Sequence, residues 1–225
     1  MDRKHSAAQD VLTRIQEDII NGRIKEGDAI TERWLEQRYN VSRTPIKEAL
    51  KQLSLEGWVE ITPRHETRVT RFTIDELREA LPIRVSLESI ATRLCIQRMT
   101  EDKRSNFDHL LRDFLSLQSR LLRHEENLLS LYNDLDNAFH NMVYSYSESK
   151  MLSDFNMRLR SMLKRTYRRI PLDQMRISTG MDEIIHILRA ILCGDIIMAE
   201  ANITKHVINS IHHKIEMMEG GNLIT

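Results

Sequence analysis

The 225-residue sequence has few cysteines, prolines, glycines and aromatic residues, and neither sign of charge is in excess. Its two cysteines, Cys95 and Cys193, lack a CxxC or CxH spacing, which excludes a disulfide framework and a zinc finger. A reducing cytoplasm is therefore the expected compartment. The 33 basic residues balance 33 acidic residues, so the net charge does not predict a generally basic nucleic-acid binder. Any DNA-binding function has to rest on local groups of residues.

The sequence also lacks a long hydrophobic run. Residues 1–5 are mostly polar, and the most apolar stretch, 184–199, is interrupted by a histidine, an arginine, a glycine and an aspartate. We therefore expect neither a signal peptide nor a membrane span, and no membrane partner. With 41% hydrophobic and 29% charged residues, the composition favours a helix-rich globular protein, and the length suits two domains.

Three short helices are predicted near the start, at 11–22, 31–40 and 44–57. The first and third carry apolar residues at helical spacing, and the second begins at Thr31, a favourable N-cap. The third is expected to begin at Thr44, a cap residue followed by a proline. Two helices separated by the tight turn at residue 40 are typical of a helix-turn-helix, whose second helix enters the major groove.

A row of basic residues follows the outer face of the third helix. Arg43, Lys47 and Lys51 recur every four residues, which places them on one side of a helix and opposite its apolar stripe. Such a row can contact phosphates and base edges. Because Glu48 and Glu56 are interspersed, an ordinary solvated helix surface is the alternative interpretation.

Two segments in which apolar and polar residues alternate, 58–62 and 67–70, are predicted to form a β-hairpin that follows the third helix in the sequence. Helix-turn-helix and hairpin together make a winged helix, which we expect to occupy residues 1–72. Arg64 and His65 lie at the predicted wing tip, where they can reach phosphate or the minor groove. A winged helix that does not bind DNA is the alternative.

The runs 30–35 (ITERWL) and 41–50 (VSRTPIKEAL) resemble the GntR family of bacterial transcriptional regulators. Two positions depart from the family pattern. Glu66 stands near the place of the usual wing-tip glycine. Lys47 stands where arginine is more common, so bidentate guanine recognition by this residue is expected to be weaker. The resemblance implies that Arg33, Arg43 and Lys47 contact operator phosphates or bases, with Thr44 near the backbone. Together with Ser42 and the wing-tip residues Arg64 and His65, these are the expected DNA-binding residues.

A second domain, 73–225, is predicted to be all helical. Thr73 and Glu76 form a capping-box pattern at its start, and no convincing strand alternation follows. The result is a mainly α protein with an N-terminal winged helix and a bundle of six or seven helices. The expected helical stretches are 74–99, 101–123, 126–146, 150–169 and 179–217, the last divided at Gly194-Asp195.

This domain resembles the FCD-type ligand-sensing domain of the FadR subfamily, through residues 83–88, 136–140, 193–195 and 205–206. Asp136 and His140 are four residues apart, so a helix places both on one face, a spacing able to hold one metal ion. The resemblance implies zinc, nickel or manganese bound by this pair, by His206 and by one further histidine. Ile184 stands at the position of that fourth ligand, and His186, two residues on, should point away from it.

The same resemblance implies that Arg84 faces the cavity and pairs with a ligand carboxylate. The effector-binding residues are then Arg84, Asp136, His140 and His206. Each has a structural alternative: a salt bridge between helices for Arg84, a buried ion pair for Asp136 and His140, and a hydrogen-bonded core histidine for His206.

The resulting functional hypothesis is a homodimeric regulator that binds a short palindromic operator and responds to a small organic acid. Three alternatives remain at this point: a helical interaction module with a degenerate DNA-binding domain, a metal-independent acyl or fatty-acid sensor, and a metal-dependent hydrolase. The hydrolase is the weakest, because no general base, nucleophile motif or phosphate-binding glycine loop accompanies the ligands. We therefore do not expect an enzyme.

Overall fold

The computed structural model of the protein describes residues 6–62, 66–71, 73–123, 125, 128–170 and 172–220, with backbone only at 164–169. Within these residues the chain forms two compact units. The first contains the described residues of Met1–Glu76 and Arg158–Pro171, and the second contains those of Leu77–Met157 and Leu172–Gly220. The elements are α1 (Ala7–Ile20), β1 (Ala29–Ile30), α2 (Glu32–Tyr39), α3 (Arg43–Leu55), β2 (Val59–Ile61), β3 (Thr67–Val69), α4 (Ile74–Gln97), α5 (Glu101–Leu122), α6 (Leu128–Tyr146), α7 (Lys150–Arg169), α8 (Gln174–Cys193) and α9 (Ile196–Glu219).

The three predicted N-terminal helices are confirmed. Thr31 caps α2, and its hydroxyl accepts a hydrogen bond from the Trp34 amide at 3.2 Å. Asn40 ends α2 in the left-handed conformation with φ 52°, which asparagine tolerates better than most residues. The buried core of this unit is built mainly from the predicted apolar positions together with the wing: Val11, Leu12, Ile15, Ile19, Leu35, Ile46, Leu50, Leu53, Trp58 and Val69.

The predicted start of α3 is wrong. The helix begins at Arg43, and Ser42 is its N-cap, without a side-chain capping bond. Thr44 is therefore the second helical residue and not the cap. Pro45 fits at the third position because the first amide groups of a helix have no intrahelical acceptor, so a missing N–H removes no bond.

The wing contains one more strand than predicted. Strands β2 and β3 pair antiparallel as expected, with Val59 opposite Val69 and Ile61 opposite Thr67. In addition, β1 pairs antiparallel with the other edge of β3, which gives the strand order β1-β3-β2. A strand of two residues is too short to produce a recognisable alternation in the sequence.

Helix α4 begins as predicted with a capping box. The Thr73 amide donates to Glu76 Oε2 at 3.2 Å, and the Glu76 amide donates to Thr73 Oγ1 at 3.3 Å. The described residues from 74 to 219 form six helices, in agreement with the predicted six or seven. The expected start of the last stretch at 179 is wrong, because Asp173 caps α8 by accepting from the Arg176 amide at 2.6 Å.

Helices α5, α6, α8 and α9 enclose the core of the second unit, which includes Phe107, Phe114, Phe139, Met181, Ile184 and Ile203. Polar residues on α4, α6, α8 and α9 lie beside this core and form the site described below. Among the described residues, every helix falls short of the length or hydropathy that crossing a membrane requires.

Candidate functional site

Three predicted ligand residues meet in the second unit. Asp136 and His140 lie one turn apart on α6, and His206 reaches them from α9. Their nearest ligand atoms all lie within 4.8 Å of one another. Asp136 Oδ1 is 3.8 Å from His140 Nε2 and 3.6 Å from His206 Nε2. A carboxylate oxygen and two imidazole nitrogens therefore converge on one point.

A second carboxylate contacts Nδ1 of each imidazole, on the side of the ring away from Asp136. His140 Nδ1 is 3.1 Å from Glu88 Oε2 on α4, and His206 Nδ1 is 2.9 Å from Glu183 Oε2 on α8. When Nδ1 carries the proton and donates it to the carboxylate, the lone pair of Nε2 points toward Asp136. Histidine ligands of metal ions are held in this way in most protein sites.

The three donors fit a transition-metal ion. A tetrahedral ion with bonds of about 2.1 Å holds its ligand atoms about 3.4 Å apart, close to the separations of Asp136 from the two histidines. Imidazole together with carboxylate suits zinc, nickel or manganese. Ile184 is fully buried in the core and offers no fourth donor, and His186 is exposed on another face of α8. Among the described residues, three side chains are therefore positioned as candidate ligands.

Arg84 lies beside this group in the buried interior. Its Nε is 3.5 Å from Glu88 Oε1, and its Nη2 is 3.4 Å from His140 Nε2. The ion pair of Arg84 therefore lies within α4 and does not join two helices, as the alternative interpretation expected. Its contact with His140 places the guanidinium beside the three candidate ligands, and its pairing with a ligand carboxylate stays a prediction.

Several charged residues at the site were missed by sequence reasoning. Besides Glu88 and Glu183, these are Arg176 on α8 and Lys214 on α9, each buried. Both terminal nitrogens of Arg176 donate to Glu183, at 3.2 and 2.8 Å, and Asn209 Nδ2 donates to it at 2.6 Å. The apolar pattern of the helices did not predict that these charged residues are buried, so only the tertiary structure shows it.

The carboxylates of the site remain ionised. Burial acts to raise their pKa values, but nearby positive groups prevail. His140, His206 and Arg84 hold the pKa of Asp136 well below its usual range, and hydrogen bonds from His206, Arg176 and Asn209 lower the pKa of Glu183 to about 2. The pKa of His206 is raised, against the effect of burial, by Asp136 and Glu183. Burial and the neighbouring Arg84 lower the pKa of Lys214 to about 8.

Apart from the two histidines, the charges of this buried cluster balance before any ligand binds. Three carboxylates, Glu88, Asp136 and Glu183, face three cations. The cations are Arg84, Arg176 and Lys214. A divalent ion adds two positive charges to this low-dielectric region, which makes a negatively charged co-ligand favourable.

The predicted DNA-binding residues lie on the first unit. Arg33, Arg43 and Lys47 are exposed on α2 and α3, as are Ser42 and Thr44. Arg43 forms an ion pair with Glu32 at the start of α2, and the hydrogen bond that it donates to Glu32 raises the pKa of Arg43. Arg64 and His65 lie outside the described residues. Glu66, at the edge of the wing tip, pairs with the exposed Arg68.

An unpredicted buried carboxylate links α1 to α2. Asp18 accepts hydrogen bonds from Arg23 at 2.6 Å, from Arg38 at 2.7 Å and from the Tyr39 hydroxyl at 2.9 Å. These bonds lower the pKa of Asp18 despite its burial. These hydrogen bonds hold α2 against α1 and thereby help to position α3, which follows α2 in the chain.

Comparison with known proteins covers both units. Residues 7–69 match the family model "Bacterial regulatory proteins, gntR family", and residues 79–209 match the FCD domain model. The HTH-type transcriptional regulator YdhC of Bacillus subtilis (strain 168) is 26% identical over 63% of this chain and 61% of its own length. The HTH-type transcriptional repressor RspR of Escherichia coli (strain K12) is 23% identical over 65% and 61%.

These alignments span about three fifths of the length of the curated relatives. Among solved structures, E. coli McbR/YncC superposes with a TM-score of 0.71 at 17% identity, over 95% of this chain and 99% of that chain. At this level of identity the superposition shows a shared fold.

Proposed function

The chain belongs to the gntR family of bacterial regulatory proteins and carries an FCD domain, and from this premise we propose that it is a ligand-responsive transcriptional regulator. It binds a short palindromic operator as a homodimer in the cytoplasm, and a small organic acid in the helical unit changes its affinity for DNA. Named relatives include repressors, which favours repression as the mode of action.

The observation that carries the DNA-binding part is the exposed basic surface of α2 and α3. Arg33, Arg43 and Lys47 project from the two helices of a helix-turn-helix whose other faces are buried. In this motif the N-terminal residues of the second helix meet base edges, while the first helix crosses the phosphate backbone. Arg43 and Thr44 stand at that N-terminus.

A salt-dependent binding experiment tests this surface. We expect Arg43→Ala to weaken binding to a random-sequence duplex and to lower the slope of log affinity against log salt by about one, as loss of one phosphate contact requires. Lys25→Ala, at an exposed lysine in the loop between α1 and β1, is the matched control and should change neither quantity. Equal behaviour of the two variants would favour a degenerate DNA-binding domain.

An exposed apolar pair on α4 supports the homodimer. Ile83 and Ile90 are 54% and 48% exposed and lie seven residues apart, hence on one face of the helix. Two-fold pairing of such a surface would cover both side chains and would present two recognition helices to an inverted repeat.

The buried cluster supports the sensing part. Asp136, His140 and His206 would hold the divalent ion, and the bound ion would act as a Lewis acid toward a ligand oxygen. Arg84 orients the ligand carboxylate, while Glu88 and Glu183 fix the two imidazole rings. Ligand binding then shifts the helices that carry these residues, and effector and DNA oppose each other reciprocally.

A metal-free carboxylate sensor is the second candidate, and Arg84 favours it. Its guanidinium lies 3.4 Å from His140 Nε2, so a cation is already next to a ligand nitrogen. Native mass spectrometry of the purified protein separates the two candidates. One metal ion per chain supports the metal-dependent sensor, whereas a metal-free dimer that retains a small acid supports the second.

A further inference from the structure

A surface groove of about 500 Å³ lies between α8 and α9, next to the buried cluster. The two helices pack closely and are joined at Gly194, where the chain reverses direction. Residues equally distant from this turn therefore face each other across the groove. His186 and Lys205, which both line the groove, lie at similar distances from the turn, eight residues before Gly194 and eleven after it.

Hydrogen-bond donors at this end of the groove are unused. His186 and Lys205 are exposed, and neither makes a hydrogen bond or an ion pair with any residue that the structure describes. Asn209, one turn after Lys205, donates to Glu183 through Nδ2 at 2.6 Å. An amide nitrogen carries two hydrogens, so Asn209 keeps a second one for a ligand.

The carboxylates near this end are already engaged. Asp182 Oδ1 accepts from Gln118 at 2.6 Å, and Glu183 accepts from Arg176, His206 and Asn209. Glu216 also lines the groove, but it is eleven residues beyond Lys205, which is about 16 Å along a helix. This end of the groove therefore combines three side-chain donors, on His186, Lys205 and Asn209, with carboxylates that already accept hydrogen bonds from other residues.

We propose that this end of the groove binds a small oxyanion, the phosphate or carboxylate group of a metabolite, between His186, Lys205 and Asn209. An ammonium, an imidazole and an amide can each donate a hydrogen bond to the oxygens of such a group. The site is separate from the three ligand residues Asp136, His140 and His206, and its anion binding does not depend on the proposed metal.

A chain of hydrogen bonds connects this oxyanion site with the buried cluster. Asn209 contacts Glu183, and Glu183 holds the Nδ1 side of His206. A negative charge beside Asn209 stabilises a cation held by His206, so anion and metal ion each tighten the binding of the other. This coupling rests on the proposed metal-dependent function.

Calorimetry on the metal-free full-length protein tests the anion site. We expect inorganic phosphate or acetate, titrated separately up to about 10 mM, to bind saturably. The anion that binds more tightly shows whether the site prefers a phosphate or a carboxylate group. Lys205→Ala and His186→Ala should each weaken binding at least about fivefold, and Arg189→Ala, at an exposed arginine of α8 outside the groove, should leave it unchanged. Absence of saturable binding, or equal binding by Lys205→Ala, would overturn the proposal.

A second titration tests the coupling. With the better-binding anion at saturation, we expect Mn²⁺ to bind the wild-type protein several-fold more tightly, and this gain to vanish in Lys205→Ala. An unchanged Mn²⁺ affinity overturns the coupling. If Mn²⁺ does not bind at all, the metal-dependent function fails, whereas the result of the anion titration stands by itself.

Discussion

At the scale of single residues, the site depends on carboxylates that stand behind the histidines. Asp136, His140 and His206 were predicted from spacing and resemblance, and the structure brings them together. Glu88 and Glu183 were not predicted, because a carboxylate has the same letter in the sequence whether it is solvated or buried against an imidazole. A partner four residues from Arg84 was the one available signal for Glu88.

Glu183→Gln tests the support of His206. We expect it to weaken Mn²⁺ or Zn²⁺ binding by roughly 10- to 100-fold, because the amide holds the imidazole less firmly and lowers the basicity of Nε2. Asp182→Asn, at the neighbouring exposed carboxylate, is the control. The measurement is a calorimetric metal titration, and equal affinities of the two variants would show that Glu183 does not support a ligand.

Glu32→Gln tests the ion pair at the start of α2. Glu32 competes with phosphate for Arg43 and repels the DNA backbone, so its neutralisation should tighten binding to a random-sequence duplex several-fold at low salt. Glu17→Gln, on the exposed side of α1, serves as the control. Weaker binding by Glu32→Gln would mean that the pair holds Arg43 in its productive position.

At the scale of helices and strands, capping residues determined which helix starts could be predicted from the sequence. Thr31 and the Thr73–Glu76 capping box mark their helix starts in the sequence and in the structure. The start of α8 was misplaced, since the predicted stretch began at residue 179, next to Gly180. Gly180 instead lies inside α8, where it gives Tyr132 of α6 room to approach.

Gly180→Ala tests this close approach between α6 and α8. A Cβ atom at position 180 would overlap the Tyr132 hydroxyl and lie 3.0 Å from Cζ. We expect a loss of about 1 to 3 kcal/mol in the free energy of unfolding, measured by denaturant titration. Tyr132→Phe should recover part of the loss in the double variant, since it removes the overlapping oxygen. If Gly180→Ala lowers the free energy of unfolding equally in the wild type and in Tyr132→Phe, the overlap is not with the Tyr132 hydroxyl.

At the scale of the whole molecule, the order of a winged helix followed by a helical sensor was predictable, because each unit carries motifs that lie close together in the sequence. The homodimer was expected from the family resemblance alone, because a candidate surface for it, the exposed pair Ile83 and Ile90, becomes visible only when α4 is seen beside its neighbours. The boundary predicted between residues 72 and 73 stays a prediction.

Ile83→Glu tests the proposed dimer surface on α4. We expect the variant to be monomeric at concentrations where the wild type is a dimer, because two buried carboxylates would face each other across the two-fold axis. Leu122→Glu, at a 76% exposed leucine that ends α5, is the control and should remain dimeric. Sedimentation velocity distinguishes the species, and a dimeric Ile83→Glu variant would place the interface on another surface.

The central claim is that this chain recognises DNA as a symmetric regulator, and selection from a pool of random duplexes tests it most directly. We predict that the wild-type protein enriches a short inverted repeat, and that Arg43→Ala enriches none or a relaxed version of it. A pool that stays random after selection with the wild-type dimer, or an enriched site without two-fold symmetry, would contradict the account.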